Sequence, residues 1–207
     1  MAAGTVVDIA GIADHAVRTA ARAASARNHD RMRRTTHLTL GAAVAVPIAA
    51  SLSPGIAAGC LWWGIVGGGF PDWLDLRSDL RKPLRLRHRG ASHGLFVAVL
   101  AAVTVYCVLV LLTGSTFAPF GASLNVPSAA VWPWTLSFLL GVLSHLVSDA
   151  CTISGIRPLL PFSRFQFWTL PRFLRCRHDG YLDRILRVGG LAIIAVGVVA
   201  YLAPRII

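Results

Sequence analysis

From Gly94 to Ser148 the chain contains no lysine, arginine, aspartate or glutamate. A helix that crosses a bilayer needs about 20 apolar residues, so this one stretch has room for two passes. The segment TGSTFAPFGASLNVPSAAVWPW, residues 113–134, is rich in glycine, proline and serine and divides it. Helices are expected near 94–112 and 133–151, with Trp132 and Trp134 placed as an interfacial aromatic belt. A second uncharged run covers 38–71 and is interrupted by SLSPG at 51–55. Its two halves, near 38–50 and 56–70, are each about 15 residues or ~22 Å long, and read as a shallow hairpin rather than two full crossings. A third run, 188–204, supplies a last helix near 188–203, and a short uncharged piece lies at 150–156. With 55% hydrophobic residues and 14% charged ones in 207, an ordinary soluble domain is excluded. The expected fold is an all-α integral membrane protein of about five transmembrane or hairpin helices.

Charge orients this bundle. Arg27, Arg31, Arg33 and Arg34 precede the first helix, six basic residues from Arg77 to Arg89 fill the second junction, and Arg157 to Arg187 fill the last. The loop from 113 to 132 has none. Basic loops stay on the cytoplasmic side, which places the N-terminus, 71–93 and 152–187 there and makes the chain a multi-pass protein of the inner membrane. The net charge of +11 is answered by anionic lipid headgroups, the expected partners, and needs no nucleic acid. Residues 1–34 read as a basic amphipathic extension without a signal peptide, and 35–207 as one membrane domain. Within it 161–187 interleaves aromatics with arginines, an interfacial segment that Pro171 breaks in two. The four cysteines show no CxxC spacing and read as packing residues.

Against this apolar background seven residues stand out at one membrane face: His37, Asp72, Asp75, His88, His93, His145 and Asp149. His145 and Asp149 are four apart and share a helix face. Asp72 and Asp75, behind Pro71, suit the first turn of a short helix. His88 and His93 are five apart, so His88 belongs to the loop and Ser92 or His93 opens the next helix. An ionisable group in a bilayer costs roughly 2.5–3.5 kcal/mol at depth, so several together imply pairing or a bound ion. Nitrogen and oxygen donors without a thiolate fit zinc, manganese or iron, and the imidazoles disfavour calcium. Seven candidates exceed one tetrahedral shell, which calls for more than one ion or for carboxylates that orient the histidines. Asp79, Asp179, Asp183, His15 and His29 read as interfacial or first-turn residues that answer a helix dipole.

In chain order the motifs THLTLG, PDWLDLRS, HRGASH and SHLVSDACTISGIRPLLPF resemble the YdjM-like family of predicted membrane-bound metal-dependent hydrolases over about residues 32–162. His37; Pro71, Asp72 and Asp75; His88, Arg89, Gly90 and His93; and His145, Asp149, Thr152, Gly155, Pro161 and Phe162 match its pattern. Ser92 replaces the usual threonine, Gly94 an expected serine, and Asp75 falls one position late. Residues 1–31 lie outside the resemblance, and Met32 would serve as an alternative start. The motif order is also similar to the zinc-dependent phospholipase C and nuclease superfamily. The resemblance implies a metal-dependent phosphoester hydrolase. His37, Asp72, His93, His145 and Asp149 would be metal ligands, Asp75 or His88 a further ligand or general base, and Arg89 the anchor of an anionic substrate. The alternative is a non-catalytic scaffold or sensor whose His/Asp cluster is structural. An ion transporter would place such groups near the bilayer midplane rather than at one edge.

Overall fold

A computed structural model describes residues 32–76, 91–113, 126–175 and 180–206, excepting the side chains at 75, 76 and 91. Among these residues are five α-helices and no strand, only an isolated bridge between Ile156 and Phe167. They are α1 Arg34–Ala49, α2 Pro54–Leu76, α3 Leu95–Leu112, α4 Ser128–Ala150 and α5 Tyr181–Ile206, with single 3-10 turns at Ala91–His93 and Arg172–Leu174. Three of them, α3, α4 and α5, are long and apolar enough to cross a membrane. The hairpin expected of the first uncharged run is made by α1 and α2, which turn at residues 50–53.

Several ends differ from expectation, and proline is the usual reason. Pro71 does not open a short helix: it lies buried inside α2, which continues to Leu76 and carries Asp72 and Asp75 in its last turns. At ~34 Å by its 23 residues, α2 is therefore much longer than expected. Pro127 is the N-cap of α4 and Pro133 sits in its second turn. Pro133 removes one backbone donor without stopping the helix, so Trp132 and Trp134 are helical. Trp132 points outward onto Tyr106, but Trp134 packs inward and donates its indole N–H to the Ile56 carbonyl at 2.9 Å. The last helix starts at Tyr181 and takes in Asp183, Arg184 and Arg187.

The core of the bundle is α2 packed between α1 and α4, with α3 against α4 and α5 against α1. Glycines set how closely the first three approach. A Cβ on Gly41 would collide with the Gly64 carbonyl oxygen, and one on Gly141 with the same oxygen. Where helices meet in lipid, such small residues let backbones touch. Phe138, Val142, Leu146 and Ala150 of α4 then pack with Ala98 and Ala102 of α3, and Ala45, Ala49, Ala57 and Cys60 fill the α1–α2 seam. Of the cysteines read as packing residues, Cys60 is buried in that seam, Cys151 is half-buried and Cys107 is exposed on α3, so Cys107 does not pack. The outer faces of α3 and α5 remain apolar and uncovered, as a lipid-facing surface requires.

Candidate metal centre

Four helix ends meet at one end of the bundle. His37 comes from the first turn of α1, Asp72 from the last turns of α2, His93 from the 3-10 turn before α3, and His145 and Asp149 from the last turns of α4. The close α1–α2 approach carries directly into this site, because a Cβ on Gly68 would run into the His37 carbonyl oxygen. With no side chain between them, the His37 and His145 rings stack at 4.0 Å.

The donor atoms converge. His37 Nε2 lies 3.6 Å from Asp149 Oδ1, while His93 Nε2 and His145 Nε2 lie 3.4 and 3.6 Å from Asp149 Oδ2. His145 Nε2 is 3.3 Å from His93 Nε2 and 3.9 Å from Asp72 Oδ1. Zinc bonds of about 2.0–2.1 Å in tetrahedral array place ligand atoms about 3.3 Å apart, the lower end of the 3.3–3.9 Å separations here. His37, His145 and Asp149 form one group that could hold a metal ion, and Asp72, His93 and His145 a second that shares a histidine with it. His37, His93, His145 and Asp149 are buried, and Asp72 keeps 31% of its side chain exposed.

The opposite ring nitrogens decide what the cluster wants. His145 Nδ1 lies 2.8 Å from the Gly68 carbonyl, which can only accept, so this nitrogen carries the proton and Nε2 of the neutral ring is bare. Ser148 donates its hydroxyl to the His145 carbonyl at 2.8 Å and so accepts from His37 Nδ1 at 2.8 Å, which leaves His37 Nε2 bare as well. His93 Nδ1 is engaged by Ser92 Oγ at 3.0 Å. With both rings neutral, two lone pairs face the Asp149 carboxylate, an arrangement that positive charge relieves, as a proton on one ring or as a bound cation. Protonating both stacked rings would set two charges about 4 Å apart, a repulsion of about 4 kcal/mol at an effective dielectric of about 20. A single shared cation meets both lone pairs without that penalty.

A family model described as YdjM inner membrane protein matches residues 32–205. The chain belongs to this family. The match extends beyond the four motifs and takes in α5, so the last helix is part of the YdjM fold. No curated protein and no solved structure matches the chain. Membership places this YdjM chain in a membrane, in keeping with its three long apolar helices.

All five residues read from the sequence as metal ligands are brought together. Asp75 follows Asp72 by three residues on α2, but its side chain is not among those described. His88 and Arg89 lie outside the described residues, as do Asp79, Asp179, His15, His29 and the 1–31 extension. Two participants had no signal in the sequence, Ser148 and the Gly68 carbonyl, and a third, Ser92, stood in the HRGASH motif without an assigned role at the site. Asp183 also departs from its expected role. It stands in the first turn of α5 but is fully buried, with neither carboxylate oxygen hydrogen-bonded among the described residues.

Proposed function

We propose that this protein is a metal-dependent hydrolase of the inner membrane that acts on a phosphoester at headgroup level, with its site facing the cytoplasm. The observation that carries the reading is the shared aim of three imidazole Nε2 atoms and the Asp149 carboxylate, each histidine held from behind through Nδ1. His37, His93, His145 and Asp149 would hold a divalent ion, zinc by donor type with manganese or iron as substitutes, and Asp72 would complete the shell on the open side. A divalent ion there supplies Lewis acidity near neutral pH and neutralises charge on a phosphoryl oxygen. Asp72, the partly exposed donor, would meet an entering substrate, and the burial of the other four would keep bulk water from the rest of the cage. Asp75 or His88 would take the proton of the attacking water and Arg89 would hold the anionic group. Hydrolysis then joins the water oxygen to phosphorus, breaks the ester P–O bond and returns a proton to the leaving alcohol. The arginines at this end of the bundle, set against the uncharged stretch 113–132, support a cytoplasmic orientation and multi-pass insertion.

Elemental analysis of the purified protein, followed by a phosphomonoester and phosphodiester panel, tests this. Asp149→Ala is expected to lose both the metal and turnover, and full activity in that variant would defeat the assignment. The near-complete burial of four donors favours one other reading, a structural ion that pins four helix ends in a scaffold or sensor. That reading expects chelation to lower the melting temperature while no phosphoester is turned over.

A further inference from the structure

After α4, residues 151–175 form neither an α-helix nor a loose loop. Ile156 and Phe167 exchange backbone hydrogen bonds of 3.1 and 2.8 Å, the Trp168 indole donates to the Ile153 carbonyl at 3.1 Å, and Gln166 donates to the Ser154 carbonyl at 2.6 Å. Two further bonds tie this arm to the site's own supports. Thr169 N–H donates to the Ala150 carbonyl, one residue past Asp149, and Leu95 N–H, two residues past His93, donates to the Pro158 carbonyl.

What the arm turns outward is unusual in composition. Phe162, Phe165 and Phe173 are 79, 58 and 84% exposed. Beside them stand Arg157, Arg164, Arg172 and Arg175, and no acidic residue occurs between Asp149 and Asp179. The Phe162 ring meets Phe96 edge to face at 5.5 Å, and Phe96 belongs to the row of uncovered apolar side chains on α3. The aromatic face of the arm is therefore continuous with a lipid-facing helix surface. Its non-helical backbone cannot lie in hydrocarbon, where unpaired peptide groups go unsatisfied, so its depth is that of the headgroups. Rings there reach the acyl boundary while guanidinium groups meet phosphate.

We propose that residues 157–175 form a docking surface for anionic phospholipid, selecting it over zwitterionic lipid and fixing the height of the metal centre beneath the headgroups. The charge of the arm chooses the lipid, and its bonds to the ends of α3 and α4 transmit the position. The inference rests on membrane placement and not on hydrolysis.

Full-length protein carrying p-benzoylphenylalanine in place of Phe165 or Phe173 is reconstituted into nanodiscs of phosphatidylcholine with a minority of phosphatidylglycerol. After irradiation the lipid adducts are identified by mass. Phosphatidylglycerol adducts are expected above their bulk share, by about fivefold for each arginine engaged, and less so at high salt. The exposed pair exchanged in Arg164→Gln/Arg172→Gln should bring the ratio back toward bulk, while Arg175 over Trp168 keeps the arm folded. Adducts at the bulk ratio in the parent, or an enrichment that survives the double substitution, would overturn the proposal. The readout needs no turnover, so an inactive protein that still enriches the anionic lipid would count against the hydrolase reading alone.

Discussion

Ser148→Ala tests the tautomer argument without touching a donor atom. The hydroxyl gives its proton to the His145 carbonyl and accepts from His37 Nδ1, both at 2.8 Å, and the residue is buried. Removing it leaves the His37 Nδ1 proton without its acceptor, at a cost of about 1–3 kcal/mol for an unsatisfied buried group. The ring can escape by moving its proton to Nε2, but that nitrogen then no longer offers a lone pair to the cage. Metal binding must undo that escape and so bears the cost, whereas a ring that kept its Nδ1 proton would lose folding stability alone. Converted at about 1.4 kcal/mol per decade, that cost predicts a fall of roughly 5- to 150-fold in affinity, in the range of about 10–100-fold found when a ligand's supporting partner is lost. Zinc affinity is measured by competition with a chromophoric chelator, in detergent or nanodiscs, for parent and variant side by side. A Kd within twofold of the parent's, with folding stability also unchanged, would show that His37 does not depend on this hydroxyl, and the case for a bare Nε2 would fail.

Chelation followed by a thermal melt should lower the transition, since an ion at a hundred times its Kd adds about 2.7 kcal/mol to the folded state; an unchanged melt, with no recovery on adding zinc, would contradict a bound ion. Gly64→Ala should destabilise by about 1–3 kcal/mol, because its methyl group meets the Gly41 carbonyl and, at 2.9 Å, the Ala45 side chain. Gly189→Ala on α5, with nothing near the new methyl, should instead gain about 0.5–1 kcal/mol, and equal effects at the two sites would refute the close-packing account. Asp183→Asn should raise the melting temperature, since a buried carboxylate without hydrogen-bond partners becomes a neutral amide; a clear drop would reveal a bond on which α5 depends.

The helices were legible in the sequence because charge is so costly in hydrocarbon that its absence marks each span. Their ends were less so. Proline is a stop signal in water, yet Pro71 and Pro133 both sit inside helices whose neighbours hold them in register. The five converging donors stood out for the same energetic reason as the spans, since imidazoles and carboxylates inside apolar runs demand compensation. Ser148 and Ser92 carry no such mark, as a hydroxyl is unremarkable in a helix or turn. The role of Gly68 lies in a backbone carbonyl that every residue possesses. Asp183 misled because an aspartate in a first turn usually faces water, and only packing against α1 reveals that this one does not.

Every donor of the cage precedes residue 150, while α5 begins at Tyr181 and rests mainly on α1. During synthesis the ligands are therefore all outside the ribosome before the final hydrophobic segment has been made. An ion bound at that stage would tie the four earlier helices together before the last one is complete.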